Sequence, residues 1–326
     1  MRGNIHQKRI LAALFALSVN QAAHAEIIFP IWPQGEAPGA ITSSVQQVTT
    51  ERSKDPSLPD RAVTGIRRPE ITAYLPEKPN GTAVLVTPGG SYQRVVLDKE
   101  GSDLAPFFNQ QGYTLFVMTY RMPADGHQEG ADAPLADAQR AIRTLRSQAE
   151  QWHIDPQRIG IMGFSAGGHV AASLGTGFNR TVYPAQDDID KVNARPDFMV
   201  LMYPVISMQG AIAHAGSRTA LIGSQPSEAQ IERYSAEKQV TRDTPPTFLT
   251  HAIDDPSVAV DNSLAMLAAL RANRIPAEIH LFAQGKHGFG IRGTTGLPAA
   301  HWPQLVDSWI KSLQLDKHSA NQSDKK

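Results

Sequence analysis

The chain has 326 residues, 41% of them hydrophobic and 19% charged, with equal numbers of basic and acidic side chains. That much apolar side chain excludes global disorder, and the length suits one large α/β domain. The absence of cysteine excludes disulfides and thiolate metal sites, and the lack of a basic run excludes the charge pattern of a nucleic-acid or anionic-lipid partner.

In chain order, Arg2, Lys8 and Arg9 precede the 10-residue apolar run "ILAALFALSV", and a small-x-small "AHA" ends at Ala25. This is the pattern of a signal peptide over residues 1–25, cleaved before Glu26. The run is shorter than the ~20 apolar residues of a membrane span. The expectation is an exported, soluble protein, periplasmic or extracellular, with no membrane anchor. Residues 26–68, opening "EIIFPIWPQGEAPGA", show no sustained period and read as an extended arm over the domain. The last stretch, 316–326, reads as a polar, flexible tail.

Between the ends, strand and helix patterns alternate. "EITAYLP" and "TAVLVTP" read as strands, 98–112 as a helix, "YTLFVMTY" as a strand and "PLADAQRAIRTLRSQAEQW" as a helix. In that helix Leu135, Ala138, Ile142, Leu145 and Ala149 form one apolar stripe. "RIGIMGF" is predicted as a strand, "AGGHVAASLG" as a helix, and "DFMVLMYPV" and "TFLTHAI" as buried strands. "NSLAMLAALRAN" is predicted as a helix, "AEIHLFA" as a strand and "WPQLVDSWIKSL" as a closing helix. Apolar strands separated by helices predict an α/β fold, a mostly parallel central sheet with helices on both faces, over 69–315. Residues 206–246 exceed what a crossover needs and read as a lid or pocket wall, with Ser227 and Gln230 as a capping box.

In such a sheet, sites gather where strands lead into helices. Gly163-Phe164-Ser165-Ala166-Gly167 is a G-x-S-x-G at such a place. The sharp turn it implies lifts the serine hydroxyl above the sheet and needs small neighbours, which makes Ser165 the candidate nucleophile and the Ala166 amide a candidate oxyanion donor. A serine hydroxyl needs a base, and the base an orienting acid, in the chain order serine, acid, histidine. "HAIDDPSV" and "GKHGFG" follow later strands in that order, so His287 is the candidate base. Adjacent residues on an extended loop point in different directions, so only one of Asp254 and Asp255 reaches the imidazole, and Asp255, which precedes Pro256, is preferred as the acid. "TPGGSY" follows an earlier strand and offers the Gly90 and Ser91 amides as further oxyanion donors. It lacks the spacing of a phosphate loop.

His251 and His280 lie in strand-like runs and read as core or supporting groups, and His169 as part of a packed helix face. There is no H-E-x-x-H and "QDDID" lacks Ca²⁺-loop spacing, so neither metal nor cofactor is expected. Trp32 and Tyr92 are the candidate sugar-stacking residues.

On these motifs the chain resembles the α/β-hydrolase superfamily over roughly 70–315. Within it, "IWPQGEAPGA", "TPGGSY", "PLADAQRAIR", "GFSAGGHVAASLG", "TPPTFLTHAIDDPSV" and "GKHGFG" are similar to blocks of the exported acetyl xylan and feruloyl esterases. The resemblance implies Ser165 as nucleophile, Asp255 as orienting acid, His287 as general base and acid, and Ala166 with Gly90 and Ser91 as oxyanion hole. It implies a serine carboxylesterase releasing short acyl groups, acetyl first, from a small ester or an acylated plant cell-wall saccharide. Where relatives usually carry a third glycine, this chain has Ser91. A peptidase of the same fold shares the triad order, but usually brings a large extra domain for which this chain has no room.

Overall fold

The computed structural model describes residues 26–40 and 45–315. The signal peptide expected over 1–25 and the tail expected over 316–326 lie outside the described residues. The strands are β1 (Ile27–Pro30), β2 (Val48–Glu51), β3 (Arg61–Thr64), β4 (Glu70–Tyr74), β5 (Ala83–Thr87), β6 (Val95–Val96), β7 (Thr114–Met118), β8 (Ile159–Phe164), β9 (Met199–Met202), β10 (Thr247–Ala252) and β11 (Ala277–Phe282). The α-helices are α1 (Ala105–Gln110), α2 (Ala133–Ser147), α3 (Ala166–Gly177), α4 (Ala215–Ile222), α5 (Glu228–Tyr234), α6 (Asp261–Ala272) and α7 (Trp302–Ser312).

Eight strands form one sheet in the order β1-β4-β7-β5-β8-β9-β10-β11. From β7 to β11 all pairs are parallel, while β1 and β4 add antiparallel at the other edge. Strand side chains alternate between two cores. Ala83, Leu85, Ile159, Ile161, Met199 and Leu201 pack on the face covered by α2, α3 and α6. Val84, Val86, Met162, Phe164, Val200 and Met202 pack opposite, under α1 and α7. Burial on both faces explains why these strands read as near-continuous apolar runs. Among the described residues, no helix is long and apolar enough to cross a membrane.

Three expectations differ from the structure. The region 26–68 is not only an extended arm. β1 is an edge strand of the main sheet, and the β2–β3 hairpin joins β6 in a second sheet of three strands. Four-residue strands are too short to show a period. The helix expected over 98–112 is α1 preceded by a 3₁₀ turn, Ser102–Leu104. There the Asp98 carboxylate accepts from Arg61 N at 2.6 Å and its carbonyl accepts from Gly101 N, so a turn replaces the first helical residues. The stripe helix ends at Ser147 instead of Trp152. The chain then turns, with Ile154 N donating to Ala149 O, and sets Trp152 against Phe29 and Phe116.

Residues 206–246 carry α4 and α5, and Ser227 and Gln230 form the expected reciprocal capping box. The segment is stitched down: Asn262 Oδ1 accepts from Ile206 N and Ser207 N, and Tyr234 O–H donates to Asp132.

Trp32 lies at the centre of a buried polar knot. Its indole N–H donates to Asp137 Oδ1 at 2.8 Å, and Asp137 also accepts from Arg121 N and Nε at 2.8 and 3.0 Å. Removing Asp137 leaves the buried Arg121 guanidinium with Glu129 as its remaining carboxylate, at 2.9 Å. Breaking a buried pair in this way typically costs about 3–5 kcal/mol. Asp137→Ala is therefore expected to lower the unfolding free energy by that amount in urea titrations, and a loss below about 1 kcal/mol would mean that Asp137 is not what holds the Arg121 guanidinium.

Candidate active site

The turn between β8 and α3 puts Ser165 at φ 52°, ψ −120°, a conformation that side chains other than glycine rarely adopt. Its neighbours explain how the turn closes. A methyl group on Gly163 would lie 2.2 Å from Gly167 O, and one on Gly167 would lie 2.0 Å from Thr87 O. Only glycine lets the helix start this close to the strands. Ser165 N donates to Met202 O at 3.0 Å and its carbonyl accepts from Val205 N at 2.9 Å, fixing the turn to the end of β9.

Ser165 Oγ lies 2.8 Å from His287 Nε2, and His287 Nδ1 lies 2.7 Å from Asp255 Oδ2. A carboxylate only accepts, so the proton sits on Nδ1 and Nε2 is free to accept from the serine hydroxyl. Asp255 Oδ1 takes the N–H groups of Ser257 and Val258 at 2.8 and 2.9 Å. Burial acts to raise the Asp255 pKa, but the hydrogen bonds from His251 and His287 and the charge of His287 outweigh it. The carboxyl is held well below the usual range and stays ionised. Of the adjacent pair, Asp255 makes the imidazole bond. Asp254 Oδ1 instead accepts from Lys286 N at 2.8 Å and pins the loop carrying His287.

The glycine loop runs beside this chain of bonds. Ser91 has φ 57° and Tyr92 φ 59°, so Ser91 occupies a left-handed position that a glycine would adopt without strain. Among the described residues, the Gly90 and Ser91 amides donate to no partner. Ala166 is the first residue of α3, so its amide belongs to the unpaired donors of a helix start.

The candidate sugar-stacking assignments are corrected. Trp32 is 2% exposed, with Tyr183 edge-on and the Arg121 and Arg140 guanidinium groups over its ring. Tyr92 is 1% exposed. Its O–H donates to His169 Nδ1 at 2.6 Å, while His169 Nε2–H donates to Tyr234 O at 2.7 Å. Burial pushes the His169 pKa down to about 4, so it stays neutral and structural. His280 is partly exposed on the edge strand β11 and bonds Glu278 at 2.7 Å instead of entering the core.

Glu100 and Tyr203 carried no motif, whereas His251 is the supporting group expected from its place in a strand-like run. Glu100, 5% exposed, accepts Gly89 N–H at 2.8 Å with Oε2 and Tyr203 O–H at 2.9 Å with Oε1. Tyr203 in turn accepts Gly290 N–H at 3.1 Å and lies edge-on to His287, centroids 5.2 Å apart. Glu100 thereby links the glycine loop, the end of β9 and the histidine loop. His251, fully buried, has Nε2 at 3.0 Å from Val258 O and 3.2 Å from Asp255 Oδ2, and Nδ1 at 2.8 Å from Ser263 Oγ. Its signal in the string was a polar residue inside an apolar strand.

The parallel sheet, the strained serine turn and the serine–histidine–aspartate chain define an α/β hydrolase. The BD-FAE family model matches residues 72–270. The chain belongs to the BD-FAE family. It is 32% identical over 255 residues to an acetylxylan esterase of Xylanibacter ruminicola, covering 77% of this chain and 50% of that protein. Against endo-1,4-beta-xylanase B of Butyrivibrio fibrisolvens it is 35% identical over 224 residues, covering 68% of this chain and 35% of that one. The chain thus spans half or less of the length of these curated relatives. The crystal structure of an acetyl ester-xyloside bifunctional hydrolase from Caldicellulosiruptor lactoaceticus superposes with a TM-score of 0.71 at 34% identity, covering 89% of this chain and 97% of that one.

The depressed Asp255 pKa has a consequence for stability. A carboxyl whose pKa is lower folded than unfolded adds stability at pH values above the unfolded value, about 3.9, and loses it as the pH falls toward the folded value. Asp255→Asn should therefore be less stable than wild type at neutral pH, with the gap closing below about pH 4. Chemical denaturation at several pH values reads this directly, and a gap independent of pH would contradict it.

Proposed function

We propose that the protein is a serine carboxylesterase that removes short acyl groups, acetyl first, from acylated saccharides such as acetylated xylan. The observation that carries this reading is the 2.8 Å bond between Ser165 Oγ and His287 Nε2, continued to Asp255 at 2.7 Å. Its support comes from the family and from the names of its relatives. The cleft that holds Ser165 and His287 has a volume of about 170 Å³, small beside the ~300 Å³ or more that buries a drug-sized ligand. A short acyl group suits it, with the rest of a saccharide outside.

In this mechanism His287 takes the Ser165 proton as Oγ attacks the ester carbonyl, and the imidazolium is stabilised by the ionised Asp255. The amides of Ala166, Gly90 and Ser91 receive the oxyanion, each such donor being worth roughly 10²–10³ in kcat. His287 then protonates the departing alcohol. In the second half it deprotonates a water that attacks the acyl-Ser165 ester, and it returns that proton to Ser165 Oγ as the acyl–Oγ bond breaks and acetate leaves. Export by residues 1–25 belongs to the same proposal, because a polymeric saccharide would be met outside the cell.

Purified protein is expected to release acetate from acetylated xylan and to cleave p-nitrophenyl acetate, and Ser165→Ala should lose about 10⁴–10⁶ in kcat on both. Undiminished turnover by the variant would remove Ser165 from the mechanism. Cleavage of p-nitrophenyl acetate without acetate release from the polymer would remove the saccharide and leave a small-ester hydrolase.

A further inference from the structure

The three-stranded sheet takes no part in the serine–histidine–aspartate chain, yet it governs what surrounds the cleft. Because β3 pairs with β6, the β2–β3 hairpin is tied to the segment 94–99, and Arg52, Arg94 and Lys99 line the cleft with Ser165 and His287. Lys99 lies near the reacting groups: a methyl group on Gly288, next to His287, would be 3.6 Å from its Nζ. Arg94 belongs to the glycine loop, its N–H donating to Gly90 O at 3.3 Å.

Three neighbouring arginines are each paired with a carboxylate of the chain. Arg52 pairs with Asp60 at 2.6 Å, Arg61 with Asp98 at 2.6 Å, and Arg292 with Asp103. Arg94 and Lys99 form no ion pair among the described residues, and the buried Nε of Arg94 has no hydrogen-bond partner. Glu100, the carboxylate that lines the cleft, already has one oxygen on Gly89 N–H and the other on Tyr203 O–H. The cleft lining therefore carries two cations without an ion-pair partner against the single carboxylate of Glu100.

We infer that the cleft takes substrates bearing a carboxylate, held by Arg94 and Lys99. The guanidinium offers its fork of donors and the ammonium a point charge, the usual means of holding a carboxylate. The inference rests on the reading of Ser165 and His287 as the reacting pair and names the substrate class of that site. For an acylated saccharide the carboxylate belongs to a uronic acid on the alcohol side of the ester. A carboxylate at the far end of the acyl group would present the same chemistry.

Two pairs of small esters separate these sources. 4-Acetoxybenzoate against phenyl acetate places the charge on the alcohol side, and p-nitrophenyl hemisuccinate against p-nitrophenyl butyrate places it on the acyl side. For each pair the ratio of kcat/KM, charged over neutral, is measured for wild type and for the Arg94→Gln/Lys99→Gln double variant at low and high ionic strength. Loss of folded protein lowers both members of a pair equally and leaves the ratio unchanged. The ratio is expected to fall about tenfold in the variant, some 1.4 kcal/mol, and the wild-type ratio to drop with added salt while the variant ratio does not. A fall confined to the first pair supports the uronic acid, and one confined to the second supports an acidic acyl group. Ratios equal within about twofold in wild type and variant for both pairs overturn the inference. These esters report whether or not acetylated xylan is hydrolysed, so failure of the saccharide reading and failure of this one are separate results.

Discussion

The conformation of Ser165 is the constraint on which the site depends. At φ 52° the serine sits where an L-residue costs roughly 1–2 kcal/mol, and a turn holds such a residue only when its surroundings leave no alternative. Here the surroundings are backbone. Gly163 and Gly167 let the start of α3 approach the end of β5 until the Thr87 carbonyl lies where a side chain would otherwise be. The bonds from Ser165 N to Met202 O and from Val205 N to Ser165 O then lock the turn to β9. The strain is set against sheet register, so the hydroxyl is positioned by the ends of the central strands.

That register also positions the partners of the serine. β9 delivers Tyr203, itself at φ 35°, directly after its last strand residues, and Tyr203 meets both the histidine loop and Glu100. A buried carboxylate is costly unless its oxygens are occupied. Glu100 meets that demand with one N–H from the glycine loop and one phenolic O–H. Its desolvation is thereby coupled to the correct placement of two loops that otherwise share no strand. Asp255 follows the same rule, with both oxygens engaged by His287, His251 and two backbone amides. The buried carboxylates of this face have their oxygens bonded inside the chain, whereas Arg94 and Lys99 form no ion pair among the described residues, which is where an external carboxylate is proposed to bind.

The adjacent carboxylates at 254–255 show how finely a loop divides its tasks. Asp255 follows the chain inward to the imidazole, and Asp254 turns to the Lys286 amide. One orients the ring and the other holds the loop on which the ring is carried. The two faces of a short extended segment suffice for this.

Much of this was legible in the string. The α/β class and the alternation of strand and helix follow from local periodicity, and the strand-to-helix turn from the steric demands of glycine, all of which depend on near neighbours; the order of serine, acid and histidine could be sought once that architecture was assigned. The capping box at Ser227 and Gln230 was legible for the same reason. Only the tertiary structure decided the rest. The edge strand at 27–30 and the short hairpin pairing with β6 have too few residues to carry a period, and their stability comes from partners distant in sequence. Trp32 and Tyr92 looked available to a sugar as isolated aromatics, whereas Asp137, some hundred residues beyond Trp32, and His169 withdraw them into the interior. Glu100 and Tyr203 acquire meaning from hydrogen bonds that span loops. A sequence specifies which residues prefer a turn, a strand or a helix. Which polar groups must be satisfied, and by whom, is settled when packing removes them from water.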